Sequence, residues 1–293
     1  MIRRFALLPG SSSGTGRAAA AVGAVVRRLA DAGIDAVVLQ GTHGDDTRQV
    51  LRDALADGVD GVVVLGGDGI IHLAVQELAG TGVPLGIVPL GTGNDSARAL
   101  GIPLGDVTTA TDVVIAGHRR RIDLARAGDR WFLTILATGF DAVAAARGSA
   151  MTWPRGNLRY AAATLLELPR FTPLRYTLVL DGVEQTREAM FVSVANTDYF
   201  GGGMRIAAGA AFDDGLLDVC IVRPVSRTTL LRFFPTVSTG AHVDNPIFER
   251  VRARTVTVAT TPTMTTYADG ERFGDLPLTV EAVPAALTVL VPR

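Results

Sequence analysis

Within residues 3–100 the chain repeatedly runs a short β-forming apolar segment into a turn and then into a helical pattern. The segments are "RRFALLP" (3–9), "DAVVLQ" (35–40), "DGVVVLGG" (60–67) and "VPLGIVPLG" (83–91). Between them lie "RAAAAVGAVVRRLADAG" (17–33), "DDTRQVLRDALADG" (45–58) and "IIHLAVQELAG" (70–80). In the last of these, Ile71, Ala74, Val75 and Leu78 fall at i, i+3, i+4 and i+7, one face of a helix. Strands that alternate with helices of this length build βα units around a parallel sheet. After about residue 121 the pattern becomes short β-rich runs joined by turn residues, with an Asp181–Gly182 hairpin signal and one helix-like stretch, "GNLRYAAATLLELPR" (156–170). The expected fold class is therefore α/β: a Rossmann-like parallel domain over 1–121, with 284–293 returning to it, followed by an antiparallel β-sandwich domain over 122–283.

Composition removes several functions. The chain of 293 residues contains no lysine, so all 28 of its Lys-plus-Arg positions are arginine. A Walker A loop, a protein-kinase third strand and a Schiff-base enzyme each need a lysine. A formal net charge of −1 supplies no overall basic field for nucleic acid. One cysteine, Cys220, excludes an internal disulfide framework and suits a reducing compartment. No stretch has the apolar length of a spanning helix. The expectation is a cytoplasmic protein, peripheral at most at the inner membrane face. Oligomeric state is open, with a homodimer among the expected states.

Two glycine turns sit at equivalent places. "GGDG" (66–69) ends one buried strand and opens a helix, and "PLGTGND" (89–95) ends the next and opens another. Parallel strands put both turns on one edge of the sheet, where open α/β folds bind ligands. Glycine lets backbone N–H groups approach an anion, and helix N-termini add their positive dipole ends.

These turns, together with "DGE" (269–271), "RIDLARAGDRWFLTILATGFDA" (121–142) and "VSVANTDYFGGGMRIAAGAAFDDGLLDVCIV" (192–222), resemble in order the diacylglycerol-kinase-like lipid kinases. That family includes bacterial diacylglycerol kinases and the sphingosine kinases. The resemblance spans nearly the whole chain and implies ATP and Mg²⁺ as cofactors, with a hydroxyl-bearing lipid as acceptor. It places Gly66, Gly67, Asp68 and Gly69 at the nucleotide phosphates, with Gly91, Thr92, Gly93, Asn94, Thr42, Ser12, Ser13 and Gly14 as further nucleotide contacts. It makes Glu271 the general base, with Asp68 beside it in catalysis. It also assigns a magnesium to Asp214 and the carbonyls of Ala211 and Leu216, with Asp95 and Asp123 in the acidic network near it.

The chain departs from the family in places. Threonine usually follows "GGDG", and here it is Ile70; His72 and Leu73 stand where the next helix usually has Asn and Glu; "GSSSG" (10–14) replaces the N-terminal motif, with Thr15 and Arg17 following. A lost hydroxyl contact typically costs about 1 kcal/mol, enough to weaken nucleotide binding without abolishing it.

Rival readings are a NAD-kinase-like phosphotransferase and a non-catalytic nucleotide- or lipid-binding relative. A hydrolase reading takes Ser12 of "GSSSG" as nucleophile, with Asp213 or Asp214 and then His242 in order. His43, His72, His118 and His242 have no ligand spacing for zinc. The segment 153–171 mixes Trp153, Tyr160 and arginines with an apolar face, and is read either as a peripheral membrane contact or as a packed helix.

Overall fold

A computed structural model describes residues 3–10, 17–41, 44–153 and 157–293. Two compact units are present, residues 1–122 with 285–293 and residues 123–284. The first is built from β1 (Arg3–Pro9), α1 (Arg17–Asp31), β2 (Ile34–Val38), α2 (Gly44–Ala56), β3 (Gly61–Gly66), α3 (Asp68–Leu78), β4 (Leu85–Pro89), α4 (Asp95–Ala99) and α5 (Val107–Ala116). Its strands run β2-β1-β3-β4, all parallel, and Val289 near the chain end pairs parallel with Leu85. Both β3 and β4 are buried along their whole length, as apolar runs without alternation require when helices cover both faces. Helix α3 buries Ile71, Ala74, Val75 and Leu78, the stripe read from its periodicity. Glu77 of α3 takes Arg48 at 2.6 Å and Arg52 at 2.7 Å from α2, which ties the two helices together. Helix α5 is capped by Asp106, whose side chain accepts from the Thr108 and Thr109 amides, and ends on the left-handed Gly117.

In this order the C-terminal ends of β1 and β3 lie side by side, although the chain leaves β1 toward β2. That is the switch point at which open parallel sheets present their turns to ligands. Gly10, just past β1, donates its amide to the Leu65 carbonyl at 2.9 Å, so the two strand ends are joined there.

Strand β5 (Arg119–Ala127) contains the chain boundary between the units, at Ile122 and Asp123. The second unit continues with β6 (Arg130–Phe132), β7 (Ile135–Ala137), α6 (Phe140–Ala150), α7 (Asn157–Glu167), β8 (Leu174–Leu180), β9 (Val183–Ala189), β10 (Phe191–Ala195), β11 (Leu217–Val222), α8 (Arg227–Thr239), β12 (Phe248–Ala253), β13 (Thr255–Thr261), β14 (Thr265–Ala268), β15 (Glu271–Asp275) and β16 (Leu278–Leu290). One antiparallel sheet has the order β12-β11-β10-β7-β14-β15. In the other, β13 pairs with residues 278–281 of β16 and with β8, and β8 pairs with β9. Leu136, Val192, Val194, Val219 and Ile221 of the first sheet share a core with Tyr176, Leu178, Val256 and Val258 of the second, which is the packing of a sandwich. The β8–β9 hairpin turns on Asp181 and Gly182, both at positive φ, as its dipeptide predicts.

The sequence reading names one helix in this half, and the described residues hold three α-helices. The other face of β10 and β11 carries Phe191, Ala195, Cys220 and Val222, packed with Phe140 of α6 and with Leu230, Phe233 and Val237 of α8. Those two strands are therefore buried on both faces. Helix α6 is rich in small residues and α8 contains Pro235, so neither presents a strong helical signal; packing on the sheet decides their conformation.

Candidate active site

In the first unit the two glycine turns meet backbone to backbone. A Cβ on Gly67 would stand 3.1 Å from the Gly91 Cα, and one on Gly91 would strike the Gly67 Cα and come within 2.8 Å of Asn94 Oδ1. Only glycine allows this approach. Asn94 adopts the left-handed conformation at φ 55°. It folds its amide back onto the turn, with Oδ1 accepting from Gly91 N at 3.0 Å and Nδ2 donating to Gly91 O at 2.8 Å.

Asp68 joins the turns. Its Oδ1 accepts from Ser96 N at 2.9 Å and its Oδ2 from Asp95 N at 3.1 Å, so the carboxylate of the first turn caps the helix that the second turn opens. Asp95 is buried behind it. Helix α3 starts at Asp68, with Gly67 as an extended cap residue and no side-chain hydrogen bond to its first turn. The amides of that turn have no carbonyl within the helix and are donors for an outside acceptor. Thr92 is exposed beside them. Ile70 contributes no donor: its Cγ2 fills the space against Gly66 and would lie 3.6 Å from a Cβ on Gly10. Thr42, Ser12, Ser13 and Gly14 lie outside the described residues.

In the second unit the groups stand on side chains braced by buried polar bonds. Asp269 and Gly270 turn β14 into β15 with φ of 52° and 84°. The buried Asp269 carboxylate takes Leu133 N at 3.0 Å, Thr134 N at 2.7 Å and Thr134 Oγ1 at 2.6 Å. Glu271, two residues on, is exposed at the start of β15. Asn196, 1% exposed, donates Nδ2 to the carbonyls of Asp123 and Leu133 at 3.0 and 2.9 Å. Asp123, also buried, donates its amide to Phe212 O at 2.7 Å and accepts Gly215 N on Oδ2 at 2.7 Å. The Ala211–Leu216 loop is therefore pinned to β5.

Within that loop Asp214 Oδ1 accepts Leu216 N at 3.1 Å and Oδ2 contacts Arg252 Nη2. A carboxylate with nearby main-chain carbonyls is a hard-oxygen donor set that suits Mg²⁺ by type. No group of three or more His, Cys, Asp or Glu side chains among the described residues could hold a metal.

Each unit thus gathers its own predicted residues: Gly66–Gly69 with Gly91–Asp95 in the first, and Asp123 with Ala211, Asp214 and Leu216 in the second. The turn bearing Glu271 is tied to the Asp123 backbone through Thr134, Leu133 and Asn196. Sequence reasoning assigned no role to Asn196, Asp269 or Arg252, although the first two lie inside motifs that it quoted. His242, the third member of the hydrolase reading, is fully buried against Phe233 and Phe248, with Nε2 2.8 Å from Ile206 O. Burial holds its imidazole below the ordinary pKa.

Residues 4–127 match the family model described as the diacylglycerol kinase catalytic domain, and residues 134–291 match the YegS C-terminal NAD kinase beta sandwich-like domain. Over 298 aligned residues the chain is 44% identical to a diacylglycerol kinase of Mycobacterium tuberculosis, covering 100% of this chain and 96% of the relative. A diacylglycerol kinase of Bacillus subtilis is 29% identical over 86% of this chain and 84% of its own length. One solved structure from Bacillus anthracis str. Sterne superposes with a TM-score of 0.81 at 22% identity, covering 100% of this chain and 98% of the other. Another from that organism, described as a diacylglycerol kinase, gives 0.77 at 21%, covering 100% and 97%. At these identities the structures speak for the fold.

Proposed function

Because this chain belongs to the diacylglycerol kinase family, we propose that it transfers the γ-phosphate of ATP, with Mg²⁺, to the free hydroxyl of a diacylglycerol-like or sphingoid lipid. The observation that carries this reading is the bare apposition of Gly67 and Gly91, which brings two parallel strand ends together beside the first-turn amides of α3. The amides of Gly66–Gly69 and the Gly91–Asn94 turn hold the phosphates, and Thr92 adds a hydroxyl contact. Asp68 keeps the two turns in register through Asp95 and Ser96. Asp214 and the carbonyls of Ala211 and Leu216 would hold a magnesium, with Asp123 pinned to the same loop. A bound Mg²⁺ supplies charge neutralisation to the phosphates.

Glu271 takes the proton from the lipid hydroxyl as its oxygen attacks the γ-phosphorus. The bond from that phosphorus to the β,γ-bridging oxygen breaks, and ADP leaves with the electron pair. Trp153, Leu165 and Leu166, 79%, 57% and 52% exposed, are the apolar groups through which the second unit touches a lipid surface. No helix among the described residues is long and apolar enough to cross a membrane.

Transfer of label from γ-labelled ATP to a panel of diacylglycerol, a sphingoid base, phosphatidylglycerol and NAD in mixed micelles tests the reading. A labelled lipid is expected. Labelled NADP would instead favour the NAD-kinase-like alternative that the description of the sandwich domain keeps in view. ATP binding without any product would favour a binding protein.

A further inference from the structure

Strand β12 lies beside β11, the strand that leaves the Ala211–Leu216 loop, and carries Arg250 and Arg252 two residues apart on one face. The two arginines are not equivalent. Arg250 donates Nε to Asp218 Oδ1 at 2.6 Å and Nη1 to Ala208 O at 2.8 Å, so both ends of its guanidinium are committed. Arg252 stands opposite Asp218 on the ladder, with Nε 3.5 Å from the same Oδ1. Its Nη2 reaches instead to Asp214 Oδ2. Asp218 is almost fully buried, whereas the Arg252 and Asp214 side chains are 45% and 27% exposed. The more exposed arginine thus sits on the outer carboxylate, with an inner carboxylate within reach.

We propose that Arg252 is a resident counter-ion for Asp214. It closes the Ala211–Leu216 loop without a metal, and a divalent cation binds there by displacing it toward Asp218. This rests on the reading of Asp214 as a metal ligand. A guanidinium and a divalent ion on one carboxylate repel each other, less strongly at this exposure than in a dry interior. Displacement does not strand the arginine, because Asp218 is already its cross-strand partner. The loop then has two states, one closed by Arg252 and one by the cation, and Arg252 sets how much free cation is needed to pass between them.

Mn²⁺ binding to the full chain without nucleotide, followed by electron paramagnetic resonance of the free ion, tests this in wild type, Arg252→Gln, Asp214→Asn and the double variant. Arg252→Gln is expected to bind an ion at least tenfold more tightly than wild type, and the double variant to lose that ion. Metal-free Arg252→Gln should also melt below wild type and recover with Mn²⁺. Arg252→Lys, which keeps the charge, should stay near the wild-type affinity; tightening to the Arg252→Gln level would overturn the counter-ion role. Equal affinity of wild type and Arg252→Gln for an Asp214-dependent ion would overturn the proposal and leave the metal reading standing. No Asp214-dependent ion in any variant would remove the metal reading itself, and the proposal with it.

Discussion

The glycine-turn end of the first unit and the acidic edge of the second are built on opposite principles. In the first, the proposed function lies in the main chain, and the side chains are absent or serve the main chain: Gly67 and Gly91 touch because neither has a Cβ, and Asp68 spends both oxygens on the Asp95 and Ser96 amides. In the second, function lies in carboxylates on turns, and burial fixes where they stand. The comparison teaches that a backbone site fails when an atom is added, whereas a side-chain site fails when a charge or a hydrogen bond is taken away.

The sharpest contrast is Glu271→Gln, which removes the proposed proton acceptor and keeps the shape. Turnover should fall by about 10²–10⁴-fold, with ATP affinity nearly unchanged in calorimetric titration. Next in size is Gly91→Ala. The added methyl strikes Gly67 and the Asn94 amide oxygen, so the turns must separate and the ATP dissociation constant should rise more than tenfold. Asp269→Asn leaves the Leu133 and Thr134 donors facing an amide that donates as well as accepts. A loss of about 2 kcal/mol in denaturant unfolding is expected, together with reduced turnover because Glu271 follows the turn.

Ile70→Thr restores a hydroxyl at the end of "GGDG". ATP should bind several-fold tighter, equivalent to about 1 kcal/mol; the Cγ2 methyl that packs on Gly66 is kept, while the Cδ1 methyl is lost at a cost of about 1 kcal/mol in stability. An unchanged ATP affinity would mean that Ile70 is neutral toward nucleotide.

The parallel strands and the α3 stripe were legible because their apolar patterns are local and follow directly from burial on two faces or one. Helices α6 and α8 were not, since what makes them helical is the sheet face they cover. The glycine turns could be read as turns, but their contact could not: Gly67 and Gly91 meet across two strands. Asp269 was visible within "DGE", yet its partners Leu133 and Thr134 lie 136 and 135 residues away. Arg252 gave no local signal, because the pairing that matters crosses the β11–β12 ladder to Asp214. His242 was visible only as a histidine in serial order with Ser12, and burial assigns it to the core.

The division of labour between the units is tested most directly by measuring ATP affinity and single-turnover lipid phosphorylation on the same preparations of wild type, Gly91→Ala and Glu271→Gln. The account predicts that Gly91→Ala loses affinity and regains much of its rate at saturating ATP, while Glu271→Gln keeps its affinity and loses its rate at every concentration. A Glu271→Gln enzyme that phosphorylates lipid at the wild-type rate, or a Gly91→Ala enzyme that binds ATP as tightly as wild type, would contradict it.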